Sequence, residues 1–269
     1  MSTSSFSASF ARASDPPSIG SLPAAFAEQL SRLYAVAQRS PFVFGSPLGP
    51  FTARSRPFHL PRFVYFGPRA SDAAFRISFL AGFDHRDLRS TLALLRLVEG
   101  LARKPDLGEG LNLTFFPLLD VLGLAGIATI RRLESENWIQ STAPEIGLLE
   151  KDARVRAYHG FVRLEAATGE DLVSIRLRSP VPNENPAPEL ELFSSEDVDP
   201  LAVRWEHAPA ADAHAGPLGV ADDLPVHPFE LTVRIPAAWS VDQYAETTVS
   251  ILKRFVLRYR GFMSYAQNL

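Results

Sequence analysis

Short, nearly continuous apolar runs alternate along the chain with stretches in which apolar residues recur every three or four positions. Runs of the first kind predict strands at Arg62–Gly67, Arg76–Phe83, Leu111–Leu119, Phe161–Ala166, Leu172–Leu177 and Phe229–Ile235. Spacing of the second kind predicts helices over Ala24–Gln38, Leu88–Leu101, Pro144–Tyr158 and from Val241 to about Tyr259. The expected apolar positions of the Pro144 helix are Ile146, Leu149 and Val155. Ser240 is placed to cap the last helix, with Asp242 in its first turn. Strand, helix, strand order implies an α/β fold: a mixed, largely parallel sheet with helices on both faces. Residues 1–60 read as an N-terminal tail and helical lead-in, and residues 61–269 as one α/β domain.

Composition narrows the function classes. The 269 residues carry a net charge of -3, so no global positive field points to nucleic acid. No cysteine is present, which excludes disulfides, thiolate chemistry and cysteine-built metal sites. The most apolar stretch, Leu111–Ile130, contains Asn112, Pro117 and Asp120 and does not read as a membrane span. The polar start, without a continuous apolar core, is no signal segment, so a cytoplasmic location is expected. One segment stands apart. Val181–Pro225 holds ten acidic residues, one Arg and seven Pro, a charge of -9 against +6 for the remainder. It reads as a long surface excursion, either solubilising or forming the rim of a site.

Candidate chemistry gathers where an α/β sheet usually places it, beyond the C-terminal ends of strands. Gly82-Phe83-Asp84-His85-Arg86-Asp87 lies between a strand and the Leu88 helix. Its two carboxylates can form a helix cap, or can bind a cation with further ligands from elsewhere. Glu165 shares a strand face with Phe161 and Arg163. Arg234 is a lone charge in an apolar strand and needs an anion beside it, and Asp120 is a charge at a strand end. His85 is expected to point away from Asp84. His159, His207, His214 and His227 show no metal-ligand spacing and read as surface or structural residues.

From Arg62 to Tyr259 the chain resembles the zinc carboxypeptidase-like superfamily, including its succinylglutamate desuccinylase and aspartoacylase relatives. Where that family carries Gly-x-His-x-x-Glu, this chain has Gly82-Phe83-Asp84-His85-Arg86-Asp87, which places Asp84 and Asp87 at the ligand positions. Phe116–Gly123 matches the family's Pro-rich turn, and Pro144-Glu145 its helix-opening Pro-Glu pair. Arg163-Leu164-Glu165 matches the strand bearing the third ligand and puts Glu165 there. Asn137-Trp138 stands for the family's substrate-binding Asn-Arg pair, and Leu231–Pro236 puts Arg234 at the general-base position.

The resemblance therefore implies a divergent member whose ligands and base are substituted. Three carboxylates are a poorer zinc set than two imidazoles and one carboxylate. Arg234 cannot accept a proton. The expectation is a non-catalytic binding or scaffold role with no cofactor, Arg234 neutralising Asp84, Asp87 and Glu165. The alternative is an amide or peptide hydrolase with an altered site, holding Zn2+, Mg2+ or Ca2+ on those three carboxylates. A polar small molecule or peptide is the expected partner class, with neither nucleic acid nor membrane. Oligomeric state is left open.

Overall fold

A computed structural model describes residues 24–71, 74–127, 133, 141–178, 203–207 and 228–266. Helix α1 (Ala24–Arg39) buries Phe26, Leu30, Leu33 and Tyr34 on the face that the spacing predicts. Four strands follow: β1 (Val43–Gly45), β2 (Leu48–Ala53), β3 (Arg56–Leu60) and β4 (Phe63–Phe66). After β5 (Phe75–Leu80) come α2 (Arg89–Arg103), β6 (Leu111–Phe116) and the single turn α3 (Val121–Leu124). The rest is α4 (Pro144–Arg156), β7 (Gly160–Ala167), β8 (Val173–Arg178), β9 (Val203–His207), β10 (Phe229–Pro236) and α5 (Val241–Ala266).

Eight strands form one sheet in the order β1-β4-β6-β5-β7-β10-β8-β9. The central block β6-β5-β7-β10 is parallel, and antiparallel partners flank it on both sides. The block is apolar because both of its faces are covered. In β5, Ile77, Phe79 and Leu80 are buried, and in β6 so are Leu113, Phe115 and Phe116. Helix α2 packs against α1 and α5. Phe255 of α5 meets Phe79 edge-on and Phe229 at a tilt, which seats that helix layer on the sheet. Helix α4 packs instead against β2.

The elements depart from the pattern in several places. Strand β6 stops at Phe116, because Pro117 has no amide proton to continue a ladder. Helix α4 ends at Arg156, where Ala157 turns to the left-handed conformation (φ 47°). Val155, expected to face the core, is 85% exposed, and Ile146, Leu149 and Ala153 supply the buried stripe instead. The Pro-rich lead-in contains three strands. Arg54 and Ser55 both take positive φ in the tight β2–β3 turn, and β1 joins the main sheet beside β4. Within the acidic excursion Val203–His207 forms an edge strand parallel to β8, so that part is sheet and not loop. The rest of Val181–Pro225, and Asn137-Trp138, lie outside the described residues.

Two polar arrangements brace the fold. Arg62 donates to Asp152 (2.5 Å), to the Ser46 carbonyl (2.7 Å) and to Ser46 Oγ (2.7 Å). Asp152 also accepts from Tyr158 (2.6 Å) and Arg156 (3.3 Å). Burial pushes the Tyr158 phenol well up, with the Asp152 charge adding to the effect. Elsewhere His159 stacks on Phe75 at 4.1 Å between ring centres, and its Nδ1 accepts from the Arg76 amide (3.1 Å). This confirms a structural role for that imidazole.

Burial, with the Arg76 charge adding, holds the His159 pKa below its ordinary value. The unfolded chain therefore takes up a proton near pH ~6.5, while folded His159 does not until lower pH. Stability is expected to fall as pH drops from about 6.5 through the folded pKa. Urea midpoints measured between neutral and mildly acid pH should show this slope. His159→Gln should flatten it; an unchanged slope would assign it to other groups.

Candidate metal centre

The topology has a switch point inside the sheet. β6 lies on one side of β5 and β7 on the other, so the direction of sheet growth reverses at β5. Ligand sites in open α/β sheets favour the C-terminal end of such a switch. Pairing continues past the ladder: the Ala81 amide donates to Phe116 O (2.9 Å). The amides of Leu119 and Asp120 both donate to Gly82 O, at 3.1 and 2.9 Å. Gly82 has φ +66°, and a Cβ there would meet Thr91 Oγ1 at 2.6 Å and Leu118 Cα at 2.8 Å. Only glycine lets the two strand ends close in this way.

That closure brings Asp120 against His85. Asp120 Oδ2 accepts from the His85 amide (3.1 Å) and lies 2.6 Å from His85 Nδ1. Its Oδ1 accepts from the Gly123 amide (3.0 Å), which caps α3. Asp120 is 1% exposed, and these donors compensate its burial. Gly123 backs the pair: a Cβ there would fall 2.2 Å from Asp120 Oδ2 and 2.3 Å from His85 Nδ1. Asp84 completes the group. Each of Asp84, His85 and Asp120 offers one ligand atom, and the three atoms lie within 4.8 Å of one another. Among the described residues this is the one group of three or more such side chains that could hold a metal ion.

The carboxylate ligands read from the sequence, Asp84, Asp87 and Glu165, are each held by an arginine, and of them only Asp84 belongs to this group. Asp84 is held by Arg86, whose hydrogen bonds keep its carboxyl below the usual carboxylate range. Asp87 accepts from Arg89 Nε (2.8 Å), and Arg89 also donates to the carbonyls of Ala237 and Trp239. Helix α2 starts at Arg89 with no side-chain cap from Leu88, so Asp84 does not cap it. Glu165 pairs with Arg163 (2.8 Å). Arg163 reaches on to Glu230 (2.9 Å) and lies over the Phe83 ring at 4.9 Å. Arg234 stands opposite Glu165 in the β7–β10 register, with Nε 3.9 Å from it and Nη1 2.7 Å from Glu170. Each carboxylate thus has its own arginine, and Arg234 does not gather Asp84, Asp87 and Glu165 into one cluster.

Tyr244 of α5 donates to the Glu165 carbonyl (3.2 Å). Burial pushes its phenol up, the charges of Asp87 and Glu165 adding and Arg89 opposing. Pro144-Glu145 opens α4, with Glu145 buried. His85 does not point away from Asp84, because Asp120 fixes its ring within the group. Sequence reasoning missed Asp120 as its partner. The available signal was two charged residues just past the ends of neighbouring parallel strands.

In sequence the chain matches no family model and no curated protein. In structure it aligns with a metallo-carboxypeptidase from Burkholderia cenocepacia, TM-score 0.64 at 13% identity, over 87% of this chain and 69% of that one. The fold is that of the metallo-carboxypeptidases. A protein assigned as a metallopeptidase from Shewanella denitrificans OS217 matches over 87% of this chain and 88% of its own (TM-score 0.59, 16% identity). A metallo-carboxypeptidase from Pseudomonas aeruginosa matches over 86% and 68% (TM-score 0.58, 14% identity). On this carboxypeptidase-like fold, one imidazole and two carboxylates form a group that could hold a metal ion. Among the described residues no helix is long and apolar enough to cross a membrane.

Proposed function

We propose that the chain is a divalent-cation-dependent hydrolase of amide or peptide bonds with an altered active site, its cation held by Asp84, His85 and Asp120. The observation that carries this reading is the convergence of those three side chains at the switch point. The donor set fits a divalent cation. Three protein ligands, with further positions left open, are the pattern of catalytic centres. One imidazole with two carboxylates moves the preference from zinc toward harder cations such as Mn2+ or Mg2+. Asp120 already accepts from three donors, so besides offering a ligand atom it orients the imidazole. A cation bound there supplies Lewis acidity toward a carbonyl oxygen.

The remaining chemistry falls to the chain's own side chains. Arg234 cannot accept a proton. Glu165, opposite it in the register, is the carboxylate assigned to proton transfer in this reading. Arg163 holds it in place on the strand. Polar acyl amino acids or short peptides are the substrate class to try.

Calorimetric titration of the full chain with Zn2+, Mn2+ and Mg2+ is the test. One equivalent is expected to bind, and His85→Ala is expected to lower the affinity by at least about tenfold. Glu165→Gln should leave that binding intact and abolish hydrolysis. No binding by any of the three cations would end the reading. A second reading, cation-dependent binding without turnover, is favoured by the pairing of Arg234 with Glu170 and Glu165 at the expected base position. Stoichiometric binding with no hydrolysis of N-acyl amino acids or C-terminal peptides would select it.

A further inference from the structure

We propose that the sheet carries a second ligand site, for a small oxyanion (a carboxylate or a phosphate head group), built from Arg76, Ser78, Asn112 and Thr114. It stands apart from the cation reading. The four residues lie within the first four positions of β5 and β6, whereas Asp84 lies beyond the last position of β5.

The register gathers these side chains. Arg76 pairs with Asn112 and Ser78 with Thr114 in the parallel ladder of β5 and β6. Residues two apart in a strand share a face, so all four leave the sheet on one side. That side is the one away from α5, because Phe79, of the opposite parity, meets Phe255. Strand spacing and rise confine the four to a patch of about 5 by about 7 Å. Phe161 of β7 stands opposite Ser78 and meets Tyr158 edge-on at 5.5 Å between ring centres. The Thr114 hydroxyl faces the Tyr158 phenol. His159 fixes the Arg76 backbone, its Nδ1 accepting from the Arg76 amide (3.1 Å) and its own amide donating to Arg76 O (2.8 Å).

What marks the patch is polar chemistry that the protein itself does not satisfy. Arg76 Nε, Ser78 Oγ and Thr114 Oγ1 are buried, and no protein group completes a hydrogen bond with any of them. Tyr158 directs its phenol to Asp152 (2.6 Å) and leaves Thr114 without that bond. Ser78 and Thr114 are buried, while Arg76 and Asn112 are half-buried and form the mouth. Arg62, Arg89, Arg163 and Arg234, buried or half-buried as well, each reach a carboxylate. Among the described residues no carboxylate pairs with Arg76. A guanidinium only donates, and hydroxyls can turn their protons toward an acceptor. One fixed positive charge beside two such hydroxyls and an amide selects an acceptor-rich anion. Water would serve the hydroxyls and leave the charge without a counterpart.

The experiment is calorimetric titration of the full chain with sodium phosphate and with sodium acetate, at fixed ionic strength made up with chloride. The parent is compared with Arg76→Gln, which deletes the charge, and with Thr114→Val, which deletes one hydroxyl and keeps the shape. One equivalent of at least one anion is expected to bind the parent. Arg76→Gln is expected to abolish that binding, and Thr114→Val to weaken it about tenfold, as loss of a hydrogen bond to a charged group does. A response to phosphate alone assigns the site to a phosphate head group, and a response to acetate alone to a carboxylate; a response to both supports the shared chemistry. Parent-like affinity in either folded variant overturns the site, since the anion then binds elsewhere. If Arg76→Gln does not fold, Thr114→Val decides alone. No binding of either anion by the parent also overturns it and assigns the three buried atoms to internal water. None of these outcomes bears on the cation reading.

Discussion

Gly123→Ala is expected to lower divalent-cation affinity by about ten- to a hundredfold, as loss of an outer support of a metal ligand does. The added methyl would sit 2.2 Å from Asp120 Oδ2, 2.5 Å from Oδ1 and 2.3 Å from His85 Nδ1. None of these atoms is the loose end of a long side chain. Asp120 is buried and takes a hydrogen bond from the Gly123 amide itself, so it cannot retreat without losing that bond. Either the turn of α3 moves outward or the imidazole leaves its carboxylate. Both outcomes disturb the centre, and overpacking of this kind also costs about 1–3 kcal/mol of stability. Calorimetry on the variant measures the first effect and thermal unfolding the second. Parent-like affinity in a folded Gly123→Ala chain would mean that the His85–Asp120 pair takes no part in cation binding.

Asp152→Ala is expected to be the most destabilising single change away from the centre, by about 3–5 kcal/mol. The carboxylate accepts from Arg62, Arg156 and Tyr158 in a site that excludes most water. Its removal leaves two guanidinium groups facing each other and a buried phenol without its acceptor. Burial already pulls the Arg62 pKa down, and the Asp152 charge is what opposes that pull. The cost belongs to the charge left behind more than to the bond that is lost. Replacing both partners, as in Arg62→Met with Asp152→Leu, should therefore recover much of the stability. Urea unfolding of the single and double variants measures this. A double variant no more stable than Asp152→Ala would assign the loss to packing.

The sheet was legible where strands are buried on both faces. β5, β6, β7 and β10 read as apolar runs because most of their side chains are buried, and the buried charges Arg163 and Glu230 pair with each other. Helices α1 and α2 were legible because each presents a single apolar stripe. Strands β1 to β3 were hidden for the opposite reason. Their segment carries Pro41, Pro47, Pro50, Pro57 and Pro61, and Arg54-Ser55 turns the hairpin without the glycine or asparagine that marks such turns. Strand β9 was concealed by the acidic composition around it.

The centre was legible in part. Asp84 and the strand end that carries it could be placed from the sequence. Its partners could not, because residues 84–87 lie in a turn and the helix begins only at Arg89. A three-residue spacing there does not put two carboxylates on one face. Asp120 is separated from His85 by 35 positions and meets it through the parallel register of β5 with β6. That register is a property of the assembled sheet, and no local pattern announces it.

The hydrogen bonds that run past the ends of β5 and β6 onto Gly82 carry one more implication. They set a border between the paired ladder and the segment that carries the candidate ligands. Asp84, His85, Arg86 and Asp87 lie beyond the last of these bonds on their side, so their side chains contribute nothing to the ladder. Under the proposed reading, substitutions there are expected to alter the affinity for a cation while the scaffold stays folded. The fold thus works as a mount with interchangeable fittings, and this chain is one setting of that mount.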